Sequence, residues 1–417
     1  MNETVTRRAL LGALGAGALL PSVGGAQNFF AGDVPAGSQE LWTWVRAQLV
    51  LEPGLAWLDT AGSAPTLRAV MVREYRSRER QSLDFRNYED AVLAPGPLGQ
   101  HLQRMAAALG AQADEVAFTT GSLEGIGIVA RGLDLARDDE VICSQQERTA
   151  AVGPWRVEAA RRGIKLVDVK TGGADATPEA ILGAYAGALT PRTRALLVSH
   201  VQSTDGTAMP VREICTLARA NGVFSLVDGA QGPGHVPVDV AALGCDAYAT
   251  AFHRWLNASR GVGALYVRRD AQPKVWPFAQ EAAFPTGAQA RYGAAARLVG
   301  PAIEGVAIAL EFQRAVNPAR SGARIRELAA YLRMRLATVP GLQVVSPSHA
   351  SLVSGIVAVQ LPGRDHAAIA AALAAQDRIV VGHVSQPPAI DAIRMSLHPG
   401  TDIGHLDRCV DALRRQA

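Results

Sequence analysis

From Glu115 onward, short apolar runs alternate with amphipathic stretches, and this alternation restricts the possible folds more than any other feature of the chain. Val116–Phe118, Val141–Cys143, Leu166–Val169, Ala195–Ser199, Phe224–Asp228, Ala247–Thr250 and Ala264–Val267 read as strands. Between them, Ser122–Arg137, Val152–Arg162, Pro178–Ala188 and Val211–Asn221 carry apolar residues at helical spacing. Apolar strands separated by crossover helices predict an α/β fold, with a mostly parallel seven-stranded sheet covered on both faces. Pro178 at a first helical turn and Gly163 at a helix stop are the punctuation such a pattern needs.

Pro273–Gly287, rich in Pro, Ala and Gly, reads as a crossover. Beyond it, helices are expected over Pro301–Ala315, Ala323–Val339, His366–Gln376 and Ile403–Arg415, with a strand at Ile356–Gln360. That set predicts a smaller α+β domain. Gln39–Glu52 and Ala56–Asp59, which precede the sheet, are expected to pack with it. A chain of 417 residues can bury two such cores. The expected organisation is 27–65 joining the small domain, 66–285 as the large α/β domain, and 286–417 as the small domain. A cleft would lie between them.

The first 26 residues read as an export signal. Thr6-Arg7-Arg8-Ala9-Leu10-Leu11 is a twin-arginine-like start, an apolar run follows to Leu20, and Gly24-Gly25-Ala26 offers small residues for cleavage. The run is shorter than the ~20 apolar residues that span a bilayer, so no membrane anchor is expected and the destination is periplasmic or otherwise exported. A net charge of +3 argues against a dedicated nucleic-acid binder. Cys143, Cys215, Cys245 and Cys409 are too scattered to form a metal-ligand pair and read as buried free thiols.

In an open parallel sheet, ligands collect beyond the carboxyl ends of the strands, and several polar residues fall there. Thr119-Thr120-Gly121-Ser122-Leu123-Glu124-Gly125 follows a strand and opens a helix, so its N–H groups either cradle a phosphate or simply cap the helix. Asp228 ends an apolar strand ahead of Gly229-Ala230-Gln231, and a carboxylate so placed needs a partner. The stretch Asp246–Leu256 ends in His253-Arg254-Trp255-Leu256, with Gly261–Val267 behind it. Near the C-terminus stands Ile393-Arg394-Met395-Ser396-Leu397-His398.

These segments resemble the class V aminotransferase-like enzymes of the pyridoxal-phosphate (PLP) fold type I, including isopenicillin-N-epimerase-like and cysteine-desulfurase-like proteins. The resemblance is specific at Asp228–Gln231 and His253–Val267, and it extends over nearly all of the chain after residue 26. It implies that Asp228 pairs with the pyridine nitrogen, that Gln231 meets the ring's 3-oxygen, that His253 contacts the phosphate, and that Arg394 grips a substrate carboxylate. By the same resemblance, Ser122, Leu123, Thr149 and Ser203 line the cofactor. Leu123, Ala251 and Ala296 stand where hydroxyl donors are expected, Ser203 replaces an asparagine, and Arg148 or Thr149 takes the place of a ring-stacking histidine.

The largest departure is Arg254, which occupies the place of the lysine that holds PLP as an imine. A guanidinium offers no free amine for that bond. The only lysines are Lys165, Lys170 and Lys274, of which only Lys274 is a candidate substitute, should the crossover fold back to the cleft. Arg254 is therefore either a buried ion-pair residue or a clamp for a phosphate or carboxylate. Between Ala350 and Pro399 there is no cysteine to serve as a desulfurase nucleophile. Two readings follow. One is an exported binder of an amino-acid-like ligand without imine chemistry, in which any PLP is held noncovalently. The other is a lysine-independent PLP or pyridoxamine-phosphate enzyme with His253 as base. A homodimer is the expectation by analogy.

Overall fold

The computed structural model describes residues 30, 32–277, 286–293, 299–386 and 390–417. Residues 1–26, Ala296 and part of the crossover thus lie outside the described residues. In chain order the strands are β1 (Ala56–Trp57), β2 (Val116–Thr119), β3 (Glu140–Ser144), β4 (Lys165–Val169), β5 (Thr193–Ser199), β6 (Phe224–Asp228), β7 (Ala247–Ala251) and β8 (Gly263–Val267). They continue with β9 (Gln343–Val344), β10 (Ile356–Gln360), β11 (Ile379–Val380), β12 (Gly382–Gln386) and β13 (Ile390–Ser396).

Seven of these strands form one sheet in the order β2-β8-β7-β6-β5-β3-β4. β3 pairs parallel with β4 and β5, β5 with β6, and β6 with β7, whereas β8 runs antiparallel to both β7 and β2. The sheet is therefore mostly parallel, as its burial pattern requires: β2, β3, β6, β7 and β8 are buried along their whole length. Helices Ser122–Gly132 and Thr149–Arg162 contribute Ile126, Val129 and Trp155 to a core shared with Val141, Leu197, Leu226 and Leu265. Each such side chain contributes roughly 1.5–3 kcal/mol by leaving water. Gly125 permits close packing of its helix, since a Cβ there would lie 2.9 Å from that of Ala249 on β7.

The first crossover helix stops at Gly132 rather than running to Arg137. Leu133 instead makes an antiparallel bridge to Val275, which ends the helix by drawing its chain into a pairing of its own.

β12, β13, β10 and β9 form a second, antiparallel sheet. Its core joins Val357, Val359 and Ile393 to Leu328 and Leu332 of helix Pro318–Leu336 and to Leu406 and Val410 of helix Ile403–Arg414. β1 pairs parallel with β11, and Asp59 bridges Ser396, so the segment preceding the large sheet lies beside β13. Helix Arg68–Leu83 packs on helix Gly300–Val316, where Arg73 and Arg80 both bind Glu304, at 2.7 and 2.5 Å. All four cysteines are buried and free. Among the described residues, no helix is long and apolar enough to cross a membrane.

Candidate active site

The carboxyl ends of β2, β3, β5, β6 and β7 share one edge of the large sheet, because these five strands run in the same direction. Asp228 is the last residue of β6 and is 2% exposed. Its Oδ1 accepts the Ala230 N–H at 3.0 Å. Its Oδ2 accepts two bonds from Arg148, from Nε at 2.9 Å and Nη2 at 2.5 Å. Arg148 lies just past β3 at the N-cap of helix Thr149–Arg162, and its Nη2 also donates to Ser122 Oγ at 3.2 Å. Ser122, Arg148 and Asp228 thus form one hydrogen-bonded unit across three strand ends.

Beside this unit, Glu147 is fully buried, accepting from Ser199 N at 2.8 Å and Ser199 Oγ at 2.5 Å. Burial pushes its carboxyl up to about 7, with the nearby Asp228 charge acting in the same direction.

His253 and Arg254 follow β7 on the same edge. Arg254 is half-buried, its Nε is sealed from solvent without a hydrogen-bond partner, and the same holds for His253 Nδ1. Burial, together with Arg148 and Arg394, pushes the Arg254 guanidinium down to about 9, against the opposing pull of Asp228 and Asp59. It stays charged at neutral pH. Burial and the charges of Arg254, Arg260 and Arg148 bring the His253 imidazole down to about 4.

Arg394 reaches the edge from β13. Its Nη1 donates to the Ser203 carbonyl at 2.7 Å, and its Nη2 to Asp59 Oδ1 at 2.6 Å. Gly382, its register partner on β12, must lack a side chain, since a Cβ there would lie 2.8 Å from Nη2 and 3.0 Å from both Nε and Asp59 Oδ1.

The other residues singled out in the sequence are placed less centrally. Gln231 is fully engaged behind the site: its Nε2 donates to the Ala61 carbonyl at 3.0 Å, and its Oε1 accepts the Trp255 indole N–H at 2.7 Å. Trp255 stacks on His235 with ring centroids 3.6 Å apart. Leu123 is 54% exposed, and Thr149 is exposed on the first turn of its helix. Asp59 and Glu147 were not among the sequence candidates, and Arg148 was only an alternative to Thr149. Nothing in the sequence marks Asp59 as the partner of a residue 335 positions away.

No lysine reaches Asp228. Lys165 begins β4 at the opposite end of the sheet and pairs with Asp138. Lys170 follows β4, three strands from β6 and therefore about 14 Å away. Lys274 is exposed and follows antiparallel β8, whose last residue Val267 pairs with the first residue of β7. It lies beyond the edge opposite Asp228.

A sheet of this order with a loaded carboxyl edge defines the class: an α/β protein of the PLP-dependent transferase fold. Solved structures of that fold superpose on it, among them a C-DES mutant with glycine covalently linked to its PLP cofactor (TM-score 0.78, 22% identity, 88% of this chain and 98% of that one). The cysteine desulfurase CsdA of Escherichia coli also superposes (TM-score 0.73, 24% identity, 89% and 97%). The aminotransferase class-V family profile matches residues 56–402, and the chain belongs to that family. Its relatives include isopenicillin N epimerase of Amycolatopsis lactamdurans, 32% identical over 89% of this chain and 98% of the epimerase. The counterpart from Streptomyces clavuligerus is 31% identical over 89% and 97%.

The donor set does not fit PLP held in the usual way. There is no amine for an imine, and Asp228, which would pair with a pyridine N–H, is already paired with Arg148 through two bonds to one oxygen. Gln231 is engaged elsewhere, and Leu123 brings no hydroxyl.

Proposed function

We propose that this chain is an exported, catalytically altered member of the class V aminotransferase family, which binds an amino-acid-like ligand without imine chemistry. One observation carries this reading. The position that resembles the cofactor lysine is Arg254, and the carboxylate that resembles the pyridine partner, Asp228, is neutralised by Arg148. Any PLP that enters is held noncovalently. The small-molecule partner carries a carboxylate, for which the three guanidinium groups of Arg148, Arg254 and Arg394 are suited donors. The active form is proposed to be a homodimer, by analogy with the fold.

The competing reading, a lysine-independent enzyme, asks His253 to hold and release a proton near neutral pH. An imidazole pushed down to about 4 takes up a proton only weakly there.

The test is to titrate the purified full-length protein with PLP, follow the visible absorbance, add borohydride, and then offer amino acids. We expect no borohydride-dischargeable imine band and no turnover. A dischargeable band would sink the proposal, and turnover without one would favour the His253 enzyme. Export is tested separately by replacing Arg7 and Arg8 with lysine. The variant should remain in the cytoplasm, and unchanged secretion would remove the export part of the reading.

A further inference from the structure

Five charged side chains meet at the carboxyl edge: Arg148, Arg254, Arg394, Asp59 and Asp228. Four of them form two ion pairs, Arg148 with Asp228 and Arg394 with Asp59. The fifth, Arg254, makes no side-chain hydrogen bond or ion pair among the described residues, and its Nε is sealed from solvent. The half-buried guanidinium thus has its Nε–H sealed without an acceptor while its Nη groups, which have no protein partner among the described residues, are open to a ligand, and an anion would supply the missing partner. Two further polar groups lie on the same edge. His253 Nδ1 is also buried without a partner, and the first turn of helix Ser122–Gly132 opens on this edge.

Asp228 would be the natural counter-ion of Arg254. It makes no hydrogen bond to Arg254: its Oδ1 accepts the Ala230 N–H and its Oδ2 faces both Arg148 donors. The second carboxylate, Asp59, is held by Arg394 at 2.6 Å and by the Gly62 N–H at 3.2 Å. Arg394 in turn has both Nη groups engaged.

We propose that Arg254 is the receiving group of an oxyanion site, and that Arg148 keeps this site open by holding Asp228 away from it. The ligand class is a small molecule bearing a carboxylate or a phosphate monoester, gripped through two parallel N–H···O bonds. Arg148 is here a positioning residue. This assignment rests on the reading of Arg254 as something other than a cofactor anchor, and it differs from the resemblance in giving the primary anion contact to Arg254 instead of Arg394.

The experiment is calorimetric titration of PLP-free protein with inorganic phosphate and, separately, with succinate, at constant ionic strength. Wild type should bind at least one probe. Phosphate alone would assign a phosphate monoester, and succinate alone a carboxylate. Arg254→Gln should weaken binding by about tenfold or more, the loss expected when a charge-assisted pair is removed. Arg148→Gln should weaken it too, because the released Asp228 then competes for Arg254. Asp228→Asn should tighten it, and Arg148→Gln with Asp228→Asn should return it toward the wild-type value. That reversal is not expected if Arg148 is merely structural. Wild type binding neither probe, Arg254→Gln binding as wild type does, or Asp228→Asn binding more weakly would each overturn the proposal. Because the titration contains no PLP, its failure is distinguishable from an imine band in the previous test.

Discussion

Arg148 closes on Asp228 through two hydrogen bonds to one carboxylate oxygen, and the two partners differ in their access to water: 15% of the Arg148 side chain is exposed against 1% of Asp228. The pair should therefore respond asymmetrically to mutation. Arg148→Ala leaves a buried carboxylate beside the buried Glu147 and should cost about 3 kcal/mol. Asp228→Ala leaves a guanidinium that can turn toward solvent and should cost less. Urea unfolding of both single variants and the double variant measures this, and the double should fall short of the summed losses by about 2 kcal/mol. Strict additivity would mean that the two side chains do not interact.

Restoring an amine at position 254 should not by itself restore cofactor binding. In Arg254→Lys, burial and the charges of Arg148 and Arg394 would lower the new ammonium's pKa and expose a free amine. The Asp228 oxygen would still be filled by Arg148. We expect a weak borohydride-dischargeable band from R254K after PLP addition, and a stronger one from R254K/R148H. Equal bands would show that Arg148 is no obstacle.

The large sheet is legible in the sequence because most of its strands are buried on both faces and so read as apolar runs, edge strand β4 being the exception, and the seven expected ranges lie within two residues of the observed ones. Helix Arg68–Leu83 gave no such signal. It is rich in arginine, buries only Val70 and Ser77 along its length, and is anchored by ion pairs to Glu304. Strand β12 was missed because its burial alternates around polar residues. At the site, Asp228, His253 and Arg394 could be found from local motifs, whereas their partners could not. Arg148 is 80 residues from Asp228, and Asp59 is 335 from Arg394. Pairings over such distances are made by the fold and leave no periodic trace in the chain.

The Arg394–Asp59 pair makes a second prediction about ligands. An amino-acid carboxylate that binds Arg394 must displace the Asp59 oxygen at 2.6 Å. Asp59→Asn removes the competing charge, and glycine should then bind about tenfold more tightly. Gly382→Ala should act in the opposite direction, since its new Cβ drives into the same guanidinium. It should lose glycine binding and about 1–3 kcal/mol of stability from overpacking. Unchanged glycine affinity in Asp59→Asn would show that Arg394 is not a ligand residue.

Stability should fall as the pH drops below neutrality, and buried histidines set the sign. Burial holds His200 down to about 4 and His235 and His398 to about 3, against an ordinary value of 6.5. The cause is visible in the geometry. His235 Nε2 accepts the Gly355 N–H at 2.8 Å, and His398 Nδ1 accepts the Gly400 N–H at 3.1 Å, so protonating either ring breaks a buried bond. Between the unfolded and folded values the unfolded chain binds these three protons and the folded chain does not. Their contribution is therefore complete above 6.5 and is lost as pH falls. Glu147, raised from 4.5 to about 7, works the other way over 4.5 to 7, since the folded state there holds a proton that the unfolded chain releases. With His253, itself brought down to about 4, four protons stand against one, a net loss of at most about 4 kcal/mol per pH unit, measurable by urea unfolding at about pH 7 and about pH 5. A flat profile across that window would mean that these histidines are charged inside the fold and that the neutral acceptor roles of His235 and His398 are wrong.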